Sequence, residues 1–530
     1  MFGWTARKVA GQSLAVLCVI LFLTFLDNTV VSVVLANVQS SLAAGVQDLQ
    51  WIVDAYMLAF AVFMLTGGTL GDLLGRKKVM LSGVGLFVIG SLIAMLAGSV
   101  NELIIGRVIM GLGAAASEPG TLSMIRQLYP DNHARAKALG IWAAVSGIAL
   151  AFGPIIGGII IGFSSWRGVF SFGVIFGVIA LIAGWIYLPE SSDREGRKLD
   201  LLGLASGGLS ICAASVAVIL GENDGYASPH IISLFIFSFL AMIAFILIER
   251  KRPDPVLPLA LFKKLDFAIA NVVAFCANFG IFAVFFFVAL YLQFIAGFSG
   301  YKIALAFISM TVAIVLAALL AGRAYSSERT LQMFILGSLL SGGGTLALRQ
   351  IIRPNVTVFE LTWVLAITGF GFGILLVTMT SSVLNTVSSK RSGMAASTVN
   401  TFRELGGVFG VAALGAVVNA QLTSGMVSRL RTLQLPTNFQ SFVIYAITHG
   451  GHTPQNLHVS VAELAQHAAL VGSVTQAAYD AFGQGLHIAL YIAGLLLLLI
   501  SAVTLALYLK TSQSRKLAPA HWLKEHFLSP

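Results

Sequence analysis

Apolar runs of about twenty residues recur along nearly the whole of this 530-residue chain, and that recurrence limits what it can fold into. A helix rises about 1.5 Å per residue, so about 20 apolar residues cross the roughly 30 Å hydrocarbon core of a bilayer. In hydrocarbon every backbone N–H and C=O must be satisfied within the chain, which makes helices the spanning element for runs of this length. By that criterion there are about 14 runs, at approximately 9–34, 51–70, 79–99, 102–126, 137–162, 166–188, 200–221, 230–249, 267–292, 300–322, 330–348, 358–385, 395–418 and 484–509. The composition agrees: 57% of residues are hydrophobic, 10% are charged and the mean hydropathy is +0.90. A soluble chain carries roughly a quarter charged residues. The prediction is an all-α polytopic membrane protein.

An even number of crossings puts both termini on one side, and lysine and arginine are retained in the cytoplasm. With the termini inside, about 24 cations fall in inside segments and about 6 outside, the latter being Arg167, Lys302, Arg349, Arg353, Arg429 and Arg431. Topology therefore accounts for the net charge of +10 and the pI near 9.6, with no nucleic-acid partner needed. Cys18, Cys212 and Cys276 fall inside predicted spans, where they pack as small apolar residues rather than form disulfides. The first run is too long for the core of a signal peptide and carries Asp27, so it is expected to stay uncleaved. The Asn355-Val-Thr357 sequon lies against a span and is read as chance.

Counting spans divides the chain into an N-terminal six-helix bundle, 1–190, an inserted helix pair with its linkers, 191–266, and a C-terminal six-helix bundle, 267–510, followed by a cytoplasmic tail, 511–530. The halves echo each other weakly: Gly111 and Gly113 in span 4 are answered by Gly369, Gly371 and Gly373 in span 12. Repeated halves around a central site are a common transporter design. Residues 419–483 are expected as one long outer loop, with VSVAELAQHAALVG as a short amphipathic helix within it. His449, His452, His458, His467 and His487 in or beside it match no metal-ligand spacing, so neither a metal nor a cofactor is expected.

A charge in hydrocarbon costs about 2.5–3.5 kcal/mol on insertion scales, so each intramembrane ionisable residue is a functional candidate. Asp27, Asp54 and Arg107 fall at similar depths near the outer ends of spans 1, 2 and 4, with Tyr56 beside Asp54. Asp27 with Arg107 either exchanges partners with a proton or cationic substrate, or pins two helices together; Asp54 is either a third member or a solvated surface residue. Glu118, beside Pro119 and Gly120, faces a cavity through a broken helix or caps the amides freed there. Asn400, Arg403 and Glu404 in span 13 are second-half candidates for the pathway, with Gly406 and Gly410 as a packing face. The loop after span 2, GTLGDLLGRKK, adds Gly68, Asp72 and Gly75 to the cations at Arg76, Lys77 and Lys78; topology alone needs only the cations, so the remainder reads as a charged latch against a helix end. In span 5, GIALAFGPIIGG places Gly147, Gly153, Pro154, Gly157 and Gly158 where a spanning helix would bend and pack closely, as a hinge or seal.

These segments resemble the major facilitator superfamily. GTLGDLLGRKK is similar to its loop 2–3 signature, LIIGRVIMGLGAA to its span 4 signature with the arginine at Arg107, and GIALAFGPIIGG to the span 5 motif of its antiporters. LDNTVVSVVLANVQ resembles span 1 of the 14-spanner drug:proton antiporters, and WRGVF at Trp166 and the span 13 run fit the same subfamily. The chain departs from the pattern at Asn37, where proline is usual, and at Met110 and Glu404, where glutamine is common. Spans 9 to 11 lack the acidic residue that members handling dications often carry.

The resemblance implies a facilitator fold of two six-helix bundles with two extra central helices, 14 transmembrane helices in all. It also implies a monomeric multidrug exporter in the cytoplasmic membrane, coupled to the proton-motive force. Asp27 would be the proton and cation site, Arg107 a proton relay, and Asp72 with Arg76 part of the gate. The partners are an amphiphilic small molecule, protons and the lipid bilayer. The chain has no G-x-x-x-x-G-K-[ST] phosphate loop and no nucleophile-base set, so no enzymatic activity is expected. Export of an endogenous metabolite, lipid or siderophore would use the same motifs, and a membrane sensor or enzyme without transport is the rival from another class.

Overall fold

A computed structural model describes residues 2–44, 46–191, 200–252, 255–298, 300–388, 391–432 and 471–517, and among these there are helices but no strands. The helices are α1 Phe2–Leu42, α2 Val46–Leu74, α3 Arg76–Leu96, α4 Val100–Leu128, α5 Asn132–Phe163, α6 Arg167–Tyr187, α7 Leu201–Asp224 and α8 Pro229–Lys251. Next comes α9, made of Leu265–Ala283, a π-helical turn Val284–Val288, and Ala289–Phe294. Then follow α10 Gly300–Ala324, α11 Thr330–Ile351, α12 Val358–Thr386, α13 Ser392–Thr432 and α14 Val471–Leu517. Thirteen of them are long and apolar enough to cross a membrane. The other, α5, has 32 residues and no charge beyond Lys137, a length sufficient to cross a bilayer.

Small residues let these helices approach closely, because the close approach needed for packing in lipid is set by missing side chains. The two halves use the same device. In α4, a Cβ on Gly111 would run into the backbone of Tyr56 on α2, and one on Gly113 into Gly83 and Phe87 of α3. In α12, Gly369 and Gly373 face Met310 and Ile314 of α10, while Gly371 faces Gly337 and Ser341 of α11. Residues two apart on a helix lie about 200° apart, so one glycine run serves two neighbours.

The halves meet along two crossings of the same kind. Gly68 of α2 lies against Gly393 and Ser397 of α13, and Gly140 of α5 against Ala318 and Gly322 of α10. Both crossings are at the end of the bundle that carries the termini. The turn from α2 to α3 is a single residue, Gly75, whose φ of 119° is a conformation L side chains rarely adopt.

Three expectations are corrected. Helix α4 is unbroken at Pro119. Proline removes only its own N–H, and the freed Ala115 carbonyl sits against Gly67, while Ser117, Thr121 and Ser123 donate to carbonyls three residues back. Span 5 is continuous helix across Pro154, whose side chain lies outside the described residues, and a continuous helix is compatible with the expected bend. Residues 419–483 are helical at both ends, because α13 extends to Thr432 and α14 begins at Val471. Leu422, Met426 and Leu430 recur every four residues and pack on Ala477 and Ala481, a small core separate from the main one. Helix α14 also continues to Leu517, into the stretch expected as a tail. His449, His452, His458 and His467 lie outside the described residues, and the ring of His487 is 3.2 Å from the Ile352 carbonyl.

Replacing Gly410, which abuts the Phe279 backbone, by leucine should cost about 1–3 kcal/mol by overpacking. Gly158→Leu, with nothing within 4 Å of a Cβ there, should be nearly neutral. Thermal unfolding in detergent separates the two, and equal melting points would contradict this packing.

Candidate functional site

Five ionisable side chains from both halves converge in the interior of the bundle. From the first half come Asp27 on α1 and Arg107 and Glu118 on α4; from the second come Arg403 and Glu404 on α13. All are at most 4% exposed. Arg107 Nη1 donates to Asp27 Oδ2, and its Nε donates to the Ile52 carbonyl at 2.8 Å. Its guanidinium lies 4.5 Å from the centre of the Tyr56 ring, and the Tyr56 hydroxyl donates to the Thr24 carbonyl at 3.0 Å. Arg107 therefore ties α1, α2 and α4 together through one planar group.

The second member of the cluster joins the halves. Arg403 Nη1 lies 3.7 Å from Glu118 Oε1 and donates to Asn400 Oδ1 at 3.0 Å. Its guanidinium sits over Phe25 at 5.2 Å and over Trp142 at 5.7 Å, so rings from α1 and α5 hold it in place. Trp142 Nε1 donates to Thr121 Oγ1 at 3.0 Å, and Thr121 donates to the Glu118 carbonyl at 2.7 Å. Glu404 is within electrostatic reach of both Glu118 and Arg403, and Tyr56 of all three carboxylates. Sequence spacing does not bring Glu118 to Arg403; the fold does.

Charge and hydrogen bonding are both incomplete at this centre. Three carboxylates face two guanidiniums, so the fully ionised cluster carries one excess negative charge. Neither Glu118 oxygen accepts a hydrogen bond, and Asn400 Nδ2, Thr401 Oγ1, Arg403 Nε and both amide atoms of Asn28 also lack partners. Buried polar atoms are ordinarily satisfied, so a concentration of exceptions points to groups that take other partners during function. Asn28 follows Asp27 directly and escaped the sequence reading because an amide carries no charge signal. Asp54, two residues before Tyr56 and hence turned about 200° from it, is partly exposed.

A second set of polar contacts clamps the halves at the end that carries the termini. Asp72 accepts from Arg76 Nη2 at 2.7 Å and Nε at 3.0 Å, and also from the backbone N–H groups of Gly393 at 3.1 Å and Met394 at 3.0 Å. Those N–H groups belong to the first turn of α13, where a carboxylate complements the helix dipole. Opposite charge serves the opposite helix end: Arg126 donates to the Leu384 and Val387 carbonyls at the end of α12, and Arg135 to Asn385 Oδ1. Nearby, the Ala134 N–H holds the exposed Asp131 carboxyl below the usual carboxylate range. The sequence reading took Arg126 and Arg135 only as topology cations. Behind the α2–α3 turn, the Lys77 N–H donates to Glu190 Oε1 at 3.2 Å.

The glycines of span 5 pack on both halves. Gly153 lies against Thr29 and Val30 of α1, just past Asp27, and Gly147 against Ile314 of α10. Gly157 is buried, and Gly158 is exposed with open space beside it.

A family model described as Major Facilitator Superfamily matches residues 17–411, a stretch that contains every member of both sets. The chain belongs to the major facilitator superfamily. It is 30% identical over 426 residues to the methylenomycin A resistance protein of Bacillus subtilis, covering 79% of this chain and 91% of that relative. It is 29% identical over 473 residues to the multidrug resistance protein Stp of Mycobacterium tuberculosis, covering 89% and 87%. The tetracenomycin C resistance and export protein of Streptomyces glaucescens is 26% identical over 497 residues, covering 93% and 90%. Among solved structures, the proton:xylose symporter XylE superposes with a TM-score of 0.56 at 15% identity, over 91% of this chain and 95% of that one, which shows the fold. The chain is thus a multi-pass membrane transporter rather than an enzyme. Among the described residues no group of three or more His, Cys, Asp or Glu side chains could hold a metal ion.

If Asp72 clamps the halves, Asp72→Ala should raise labelling of Ser397→Cys, a buried position beside Gly68, by a water-soluble maleimide in detergent. Unchanged labelling would contradict the clamp.

Proposed function

We propose that this transporter is a proton-coupled exporter of lipophilic or cationic amphiphiles, drugs and antibiotics among them, working by alternating access in the cytoplasmic membrane. The observation that carries the reading is the odd charge of the central cluster. One proton neutralises the excess, and so does one monovalent cationic group on a substrate, but both together would leave the buried cluster positive. Burying an unbalanced charge costs several kcal/mol, so the two occupants exclude each other. Mutual exclusion at one alternating site is exchange: the binding of either lowers the affinity for the other. The relatives named for drug resistance and export support the substrate class and the outward direction.

In this reading Asp27 is the proton site and Arg107 its relay. Protonated, Asp27 loses its hold on Arg107 and α1 loosens from α4. Glu118, Arg403 and Glu404 carry the change into the second half, since Glu118 and Arg403 form an ion pair that crosses between halves. Asn400 and Tyr56 complete the cavity wall.

Asp72 and Arg76, with Gly68 and Gly75 allowing the close approach, form the cytoplasmic gate; the contacts of Asp72 with Arg76, Gly393 and Met394 support this reading. Gly147 and Gly153, with Pro154 and Gly157 in the same run, let α5 seal against α1 and α10 while the halves rock; Gly158, with nothing within 4 Å of a Cβ, adds no contact. The positive-inside bias sets both termini in the cytoplasm, and with both halves in one chain the monomer is sufficient. The energy source is the proton-motive force, with no cofactor.

Asp27→Asn should fold and insert normally but lose proton-driven efflux in proteoliposomes. Wild-type rates for that variant under an imposed pH gradient would overturn the assignment.

A further inference from the structure

The inserted pair α7–α8 holds a second pair of buried carboxylates, remote from the central cluster. Asp200 caps the N-terminus of α7 and is 6% exposed; Glu249, in the last turn of α8, is 4% exposed. One oxygen of each is satisfied. Asp200 Oδ1 accepts the Gly203 N–H at 3.0 Å and lies 3.6 Å from Arg252 Nε, while Glu249 Oε2 accepts the Leu257 N–H at 3.1 Å. The other two, Asp200 Oδ2 and Glu249 Oε1, accept no hydrogen bond. They converge on Gly203, where an added Cβ would stand 2.9 Å from the first and 2.7 Å from the second. Any side chain at 203 would wedge between them.

The other charged groups on the packed elements are directed elsewhere. Arg250, Lys251 and Arg252 at the end of α8 are exposed, as are Lys263 and Lys264 in the linker. On α2, Asp72 is engaged by Arg76 and α13, and on α13, Arg403 and Glu404 belong to the central cluster. Two ionised carboxylates facing each other out of water repel, and the half-exposed Arg252 balances only one of them. A single proton relieves both faults: an O–H on one carboxyl donates to the free oxygen of the other. A divalent cation would need further oxygen ligands, and no group of three acidic, His or Cys side chains occurs among the described residues.

We propose that Asp200 and Glu249 share one proton, forming a proton-binding site separate from the central cluster that ties the start of α7 to the end of α8. Through Leu257 the tie extends to the segment leading by the 3₁₀ turn Leu259–Lys263 into α9, and so to the connection between the halves. Loss of the proton frees that connection; its presence fastens it.

The test is infrared difference spectroscopy of the full-length protein in lipid nanodiscs across a pH titration, with amide hydrogen exchange at Gly203 and Leu204. A protonated-carboxyl band should remain in Asp27→Asn, which removes the central proton site, and be lost when Glu249→Gln or Asp200→Asn is added to Asp27→Asn. After correction for intrinsic rates, exchange at the start of α7 should speed up at alkaline pH in wild type, and not in Glu249→Gln, whose amide is a permanent donor. Either amide variant decides if the other fails to fold. Retention of the band in a folded double variant, Asp27→Asn with Glu249→Gln or Asp200→Asn, overturns the proposal. So does stoichiometric Mn²⁺ binding that Glu249→Gln abolishes, which would make the pair a metal site.

Discussion

A charge buried in a bilayer has no bulk water to turn to, and the centre of this protein holds three carboxylates against two guanidiniums. The rest of the arrangement answers to that imbalance. Arg107 is fixed by a carboxylate from α1 and a carbonyl and a ring from α2, and Arg403 by a carboxylate, an amide and two rings. Neither cation can move to compensate the remaining negative charge without dismantling its own surroundings. In the proposed mechanism the compensation arrives from outside the protein, as a proton or as a cationic solute.

For arrivals from two sides to be exchanged rather than leaked, the halves must close on one side at a time. The clamp uses the two ends of the helix dipole, a carboxylate at the start of α13 and guanidiniums at the end of α12. Such contacts are strong when dry and weak when wetted, since water competes for every partner. The glycine crossings, Gly68 with Gly393 and Gly140 with Gly322, bring the backbones close enough to keep the clamp dry, yet contribute no interlocking side chains that would resist separation.

The fold was legible because hydrocarbon imposes a length on each helix, and the glycine echo between spans 4 and 12 was legible because both runs serve two neighbours. Asp27 and Arg107 could be paired from depth alone. The contact of Glu118 with Arg403 could not, since it depends on how one half rests on the other. Pro119 misled in a different way: its local preference to break a helix is offset by three neighbouring hydroxyls and a close-packed glycine. The helical ends of 419–483 were hidden because their polar composition masks the four-residue recurrence of Leu422, Met426 and Leu430. Arg126 and Arg135 were read as topology because a cation at the end of the bundle that carries the termini serves that purpose whether or not it also binds a helix end.

The central claim is that proton and cationic substrate exclude each other through one unit of buried charge. Proton release on binding measures this directly: purified protein in weakly buffered detergent is mixed with a permanently cationic lipophilic dye, and the pH change is compared with the dye bound. The account predicts about one proton released per dye, with affinity rising about tenfold per pH unit while the site is protonated. Dye binding that releases no proton and is independent of pH would contradict it.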